Sequence, residues 1–252
     1  MIDEKSGKHF RPKGALLDTP GRAGHTTYML HIVAATRDTH SHFQAFAPLA
    51  KSTKELGSRG GARLYVAVGS TSPLPDVFNG VLAQVPAEDT ILFTHDDVWI
   101  EDWFLSERLT EALSMFDVVG VAGNRRRIPR QPSWAFPEKI GEWDDGNNLS
   151  GAVAHGDDRY SPITNVGPTP QQVKLIDGVF IAARVQTLRS EGITFDPQFR
   201  FHFYDLDFCR NCERAGLKIG TWPIAITHRS LGNFGSPEWH EAYRLYLTKW
   251  GE

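Results

Sequence analysis

The sequence predicts an α/β fold: a mostly parallel central sheet flanked by helices, with one long irregular loop set into it. Three observations predict it. Short apolar runs alternate with stretches of helical period between residues 28 and 123, the pattern of strands joined by crossover helices. Polar residues stand at the exits of successive runs, at Arg37, at Ser70 and at the Asp96–Asp97 pair, and sheets of this kind bind ligands beyond the carboxyl ends of their strands. The alternation then fails over residues 124–171, which are rich in Gly, Pro, Trp and charge. A stretch that long inside a compact chain is usually functional or mobile.

Taken in order, residues 1–27 are polar and rich in Gly, Pro and Lys and read as a loose leader. Residues 28–252 read as a single domain. "YMLHIVAATR" is a buried strand that ends in Thr36 and Arg37. "SHFQAFAPLAKSTKEL" follows as one helix with Ser41 as its N-cap. "ARLYVAVGS" is a strand ended by Gly69 and Ser70, and "PDVFNGVLAQV" a short helix with Pro75 at its start. "TILFTHDDVWI" is a strand with an acidic exit. In "EDWFLSERLTEALSMF", Phe104, Leu105, Leu109, Ala112, Leu113 and Phe116 recur at helical spacing and mark a buried face. "DVVGVAGN" is a fourth strand, which closes the half spanning 28–123.

After the irregular 124–171 segment, the half spanning 172–252 opens with "QVKLIDGVFIAAR", a strand interrupted by Asp177 and Gly178. "FRFHFYDLDFCRNCERAGL" enters a helix that Gly216 ends. "KIGTWPIAITH" is a strand pair ending at His228, and "SPEWHEAYRLYLTKW" a last helix capped by Ser236.

Composition narrows the function classes. The 252 residues, 40% hydrophobic and 23% charged, are enough for a sizeable core. A net charge of −3 gives no general attraction to nucleic acid or anionic membrane. No apolar run approaches the roughly 20 residues that span a bilayer. The start "MIDEKSGKHFRPKG" lacks a signal-peptide core. Cys209 and Cys212 lie in a helix-like run with no second pair, so they read as small apolar residues, not as a zinc or redox site. A reduced, cytoplasmic setting is expected, and a peripheral place at a membrane is compatible with it.

Asp96 with Asp97, Asp205 with Asp207, and His228 all stand at the ends of apolar runs. Adjacent carboxylates repel unless a cation or water lies between them. Carboxylate oxygen with imidazole nitrogen suits Mn²⁺ or Mg²⁺, ions that also bind phosphate oxygens. Two or three protein ligands leave coordination positions open for a diphosphate. Asp205 sits near a helix start, where backbone N–H groups favour an ionised carboxylate able to act as a base. Asp207, roughly 200° further around the helix, faces elsewhere and reads as structural.

The ordered set "YVAVGS…VFNGVLAQVPAEDTILFTHDDVWI…LIDGVFIAAR…FYDLDFCRNCERAGLKIGTWPIAITHRSLG" resembles a family-2-type bacterial glycosyltransferase of the GT-A fold, a Rossmann-like α/β fold. The similarity lies in the branch with a His-Asp-Asp form of the acidic motif and covers roughly residues 29–123 and 172–232. It implies inverting transfer of a sugar from a nucleoside-diphosphate donor, UDP-sugar first, to a glycan or other hydroxyl acceptor. It implies that Asp97, His228 and the neighbouring His95 and Asp96 face the cation and diphosphate. It further implies a nucleoside pocket at Ala35, Thr36 and Arg37, joined by Ser70 and by Asn79 of "VFNG", and Asp205 as base. Two positions depart from the family pattern: Tyr204 stands where a glutamate is expected before the base, and Gly69–Ser70 replaces "Asp-x-Ser".

Plainer readings compete at each position. The acid pair could be a solvated turn, Asp205 a dipole-stabilised helix acid, and His228 an interior histidine. Arg125, Arg126, Arg127 and Arg130 are most simply a solvated basic loop; a diphosphate clamp is the other reading. Trp134, Trp143 and Tyr160 suit lid packing as well as sugar stacking. Two other functions share these features. One is a sugar nucleotidylyltransferase, whose Gly-rich loop "AATRDTHSHF" lacks. The other is a non-catalytic nucleotide- or carbohydrate-binding module. A nucleic-acid acceptor stays open, without support from the charge.

Overall fold

A computed structural model describes residues 15–19, 28–57, 62–230 and 232–251. The chain forms an α/β structure with two sheets. In the first, eight strands run in the order β1-β3-β2-β4-β12-β6-β13-β10. Its nucleus is parallel: β2 (Leu30–Ala35) lies between β3 (Ala62–Val68) and β4 (Thr90–Thr94). Ile32, Val33 and Ala34 are fully buried because β2 has a strand on either side, which explains its unbroken apolar sequence. β1 (Ala15–Thr19) adds antiparallel to β3. That corrects part of the expected loose leader; the rest of residues 1–27 lies outside the described residues.

Helices follow the strands with one correction. The single helix expected over 41–56 is two, α1 (His40–Phe46) and α2 (Pro48–Gly57). Ala47 is extended, as the residue before a proline prefers, and Pro48 starts the second helix where its missing N–H costs nothing. The first N-cap is Thr39, whose hydroxyl accepts from the His42 N–H, instead of Ser41. Helix α3 (Leu74–Leu82) carries Pro75 in its first turn and buries Val77, Phe78, Val81 and Leu82. Helix α4 (Leu105–Met115) buries Leu105, Leu109, Ala112 and Leu113. Phe104 and Phe116 cap its two ends, and Phe104 stays exposed, so the buried face is shorter than its periodicity suggests.

The acidic exit of β4 is a turn between sheets. Strand β5 (Val98–Ile100) begins directly after Asp97 and belongs to the second sheet. The expected fourth strand splits in the same way: β6 (Val118–Gly120) stays in the first sheet and β7 (Ala122–Asn124) crosses to the second. The second sheet runs β11-β7-β8-β14-β5, with β9 beside β8. Residues 124–171 are therefore not irregular throughout. They contain β8 (Leu149–His155) and β9 (Ile163–Gly167), paired antiparallel. Glycine hid them: a side chain at Gly151 (φ +115°) would overlap the Val121 carbonyl, and one at Gly167 the Leu149 carbonyl. Glycines that signal loops in sequence here permit close strand approach.

The remaining elements are β10 (Gln171–Val173), β11 (Leu175–Ile176), β12 (Phe180–Arg184), α5 (Val185–Ser190), α6 (Tyr204–Arg214), β13 (Ile219–Thr221), β14 (Ile226–His228) and α7 (Pro237–Trp250). Strand β12 runs antiparallel between β4 and β6, and β13 returns parallel to β6. Gly216 (φ +78°) ends α6, and the Ser236 hydroxyl caps α7 by accepting from the Trp239 N–H. Cys209 and Cys212 are buried on α6 as free thiols. No helix among the described residues is long and apolar enough to cross a membrane.

Candidate metal centre and its surroundings

The ends of β2 and β3 are laced together by backbone. Thr36 N–H donates to the Ala67 carbonyl, Ser70 N–H to the Thr36 carbonyl, and Gly69 N–H to the Asp38 carbonyl at 2.8 Å. Gly69 has φ +59°, which a side-chain-free residue adopts without strain. Ala35, Thr36, Arg37 and Ser70 thus line one edge, with Thr36 and Ser70 buried and Arg37 exposed. The Thr36 hydroxyl donates to the Asp96 carboxylate.

The two acids of "HDD" have opposite surroundings. Asp96 turns to Thr36; burial, and then the Asp97 charge, push its carboxyl above the ordinary value although the Thr36 bond opposes them. Asp97 turns to His228. Burial alone would raise Asp97 too, but the His228 imidazole outweighs it and holds the carboxyl low. Neighbouring carboxylates with shifts of opposite sign avoid sharing one charge state.

His228 arrives beside Asp97 because β14 pairs antiparallel with β5 in the register His228↔Val98. Its Nε2 lies 3.3 Å from Asp97 Oδ1. The atom is buried and makes no aligned hydrogen bond. Burial works against the imidazolium, but the Asp97 carboxylate outweighs burial and raises the His228 pKa. His95 completes a group: ligand atoms of His95, Asp97 and His228 all lie within 4.8 Å of one another. Burial first, then His228, lowers the His95 pKa, which keeps its ring neutral, as a metal ligand must be. Once a cation displaces the proton that Asp97 favours on His228, two imidazole nitrogens and an ionised carboxylate converging on one point fit a divalent ion. Phe201 covers His95, its ring stacked at 5.9 Å between centroids.

Asp205 lies in the first turn of α6, next to Gly178. Its Oδ2 accepts from Gly178 N–H at 3.0 Å and its Oδ1 from Leu206 N–H at 2.9 Å. The helix start was expected to favour the ionised form. Burial, and then the Asp177 charge, outweigh those bonds and raise the carboxyl to about 7. Asp177, which in the sequence only interrupts a strand, is fixed by Val179 N–H at 2.9 Å and by Trp134 Nε1 at 2.8 Å. In the sequence Asp177 carries no functional motif. A carboxylate within an apolar run was the signal that could have found it.

Other candidates lie elsewhere or are committed. Asn79 was expected near a nucleotide. It donates to the Phe195 carbonyl at 2.7 Å and accepts from the Phe195 N–H at 2.9 Å, so both amide ends clamp backbone. Asp207 has a fully buried side chain 2.7 Å from Lys249 Nζ and accepts from Trp250 Nε1 at 3.0 Å, a structural anchor. Arg126 pairs with Asp144, Arg127 with Glu213, and Arg125 donates to the Asn147 carbonyl. Trp134 is buried, whereas Trp143 packs edge-on to Trp134 and Phe136 with half its surface open.

No family model matches the chain, and no curated protein matches it. Its fold is similar to several solved structures. One is a mutant of Drosophila β1,4-galactosyltransferase 7 in complex with manganese, UDP-Gal and xylobiose, with TM-score 0.49, 11% identity, and 86% of this chain and 80% of that chain covered. Another is GalNAc-T7 with UDP, GalNAc and Mn²⁺, at TM-score 0.48 and 9% identity, covering 87% of this chain and 47% of that one. A third is TarS of S. aureus, at TM-score 0.48 and 14% identity, covering 88% and 39%. The chain thus spans less than half of the last two.

Proposed function

We propose that this chain is a metal-dependent glycosyltransferase of the GT-A type, moving a sugar from a nucleoside-diphosphate donor to an acceptor hydroxyl with inversion. The observation that carries the reading is the convergence of His95, Asp97 and His228 on one point at the carboxyl end of β4, with Asp205 held across the Gly178 peptide. Two imidazoles and one carboxylate suit Mn²⁺ better than Mg²⁺, which prefers oxygen ligands and retained water. Once bound, the ion supplies positive charge against the departing nucleoside diphosphate. Ala35, Thr36, Arg37 and Ser70 would hold the nucleoside, with UDP-sugar the first donor to try, and Asp96 would keep the Thr36 loop against the cation site. The Asp205 carboxylate takes the acceptor's hydroxyl proton as that oxygen attacks the anomeric carbon and the nucleoside diphosphate leaves from the opposite face. A carboxyl near 7 is half ionised at neutral pH, a useful poise for a base.

The test is donor turnover with UDP-, GDP- and dTDP-sugars, with and without Mn²⁺. One donor class is expected to release its nucleoside diphosphate in a Mn²⁺-dependent way. Asp97→Ala should abolish that release and Mn²⁺ binding while the circular dichroism spectrum stays unchanged. Failure of all three donors, with no Mn²⁺ bound by the intact chain, would sink the proposal.

A further inference from the structure

We infer that Tyr204 is a positioning residue of this site: its phenol holds the His95 imidazole as the Nε2-protonated tautomer and leaves the Nδ1 lone pair for the cation. The inference rests on the metal reading proposed above and extends it to a residue that contacts no cation itself.

The geometry decides the tautomer. Tyr204 is buried, and its hydroxyl lies 2.9 Å from the Gly178 carbonyl and 2.8 Å from His95 Nε2. A carbonyl can only accept, so the single hydroxyl proton goes to Gly178. The phenol oxygen is then an acceptor towards His95, and Nε2 must carry the proton. A neutral imidazole has one N–H, which leaves Nδ1 bare. Phe78 and Phe195 pack against the Tyr204 ring with centroids 6.0 and 5.9 Å away and fix its direction.

Position 178 has to be glycine for this contact. A Cβ there would strike the Tyr204 hydroxyl and stand 3.0 Å from Asp205 Cβ. The same residue accepts from Tyr204 through its carbonyl and donates to Asp205 through its N–H, so one glycine sets both the metal ligand and the base. The glutamate expected at 204 could accept from His95 as a carboxylate but could not also donate to Gly178. Tyrosine does both.

The test uses the full chain and Mn²⁺ alone, followed by calorimetric titration. Tyr204→Phe keeps the ring and removes the hydroxyl, and loss of such an orienting partner lowers metal affinity about 10- to 100-fold. Nitrogen-15 spectra of the metal-free protein should show His95 protonated at Nε2 in the wild type and a mixture of tautomers in Tyr204→Phe. A merely structural tyrosine would not move that signal. Unchanged Mn²⁺ affinity in the variant, or Nδ1 protonation in the wild type, would refute the role of Tyr204 and leave the metal reading standing. A wild type that binds no Mn²⁺ would refute both.

Discussion

Asp96, Asp97 and Asp205 carry the same chemical group, and their surroundings do not shift it alike. Asp97 stays ionised beside His228, Asp96 is raised by burial beside Thr36, and Asp205 is raised to about 7 by burial and Asp177. The sequence showed which carboxylates stand at strand and helix ends, because apolar runs flank them. It did not show their states, which depend on burial and on residues distant in sequence, such as His228 for Asp97 and Asp177 for Asp205. Asp205 also affects stability. Its folded value lies above the unfolded one near 3.9, so the native state binds the extra proton between about pH 4 and pH 7. The group's favourable contribution is full below about pH 4 and is lost as pH rises through about 7. Asp205→Asn should therefore raise stability of the metal-free protein near pH 8, by at most about 4 kcal/mol, and change little near pH 4. Denaturant titrations at the two pH values check this. A variant less stable near pH 8 would contradict it. Turnover in the same variant is expected to fall about 100-fold or more.

Among the elements, those with long apolar periods were legible: β2, β3, β4, α3, α4, α6 and α7 lie within a few residues of their sequence expectation. Elements were missed where a residue type has two uses. Gly151 and Gly167 read as loop and serve close strand packing, so β8 and β9 were hidden. Pro48 opens a second helix inside what read as one. The α6–α7 contact was also illegible, because it depends on one lysine reaching two acids. Lys249 Nζ lies 2.8 Å from Asp196 and 2.7 Å from Asp207, whose side chain is fully buried. Truncating a partner of a buried charge leaves the other unpaired, at a cost of about 3 kcal/mol. Lys249→Met should lower stability by about that amount in urea titration, and Mn²⁺ affinity should stay the same because neither acid belongs to the metal group. An unchanged unfolding midpoint would mean that Trp250 and Asn211 alone satisfy Asp207.

At the scale of the molecule, the chain crosses between its sheets beside the site. Asp96 and Asp97 lie between β4 of the first sheet and β5 of the second, and β14 of the second sheet returns His228 to them. The second crossing, at Val121, leads through Asn124 to the segment that was read as a loop. That segment is tied to the site by a chain of polar contacts. Asp144 accepts from Arg126 Nε at 2.8 Å and from the Asn124 and Asn148 amides at 2.9 and 3.0 Å. Asn124 also donates to the Trp134 carbonyl at 2.9 Å, and Trp134 Nε1 holds Asp177. Arg126, first among these donors, keeps the Asp144 carboxyl well below its ordinary range. A lowered carboxyl stabilises the fold above the unfolded value near 3.9, and that contribution is lost as pH falls through the folded value. Asp144→Ala should therefore cost about 2 kcal/mol near neutrality, discounted because Arg126 is half exposed, and the difference should narrow below about pH 4. Hydrogen exchange locates the effect. Faster exchange is expected across residues 124–148 and at Val179, whose N–H bonds Asp177, while β2, β3 and β4 keep their protection. Mn²⁺ affinity should hold, since Asp144 is not one of the three converging ligands, but sugar transfer should fall as Asp177 loses its fixed partner beside Asp205. Uniform exchange throughout the protein, or none gained at Val179, would show that this network does not reach the base.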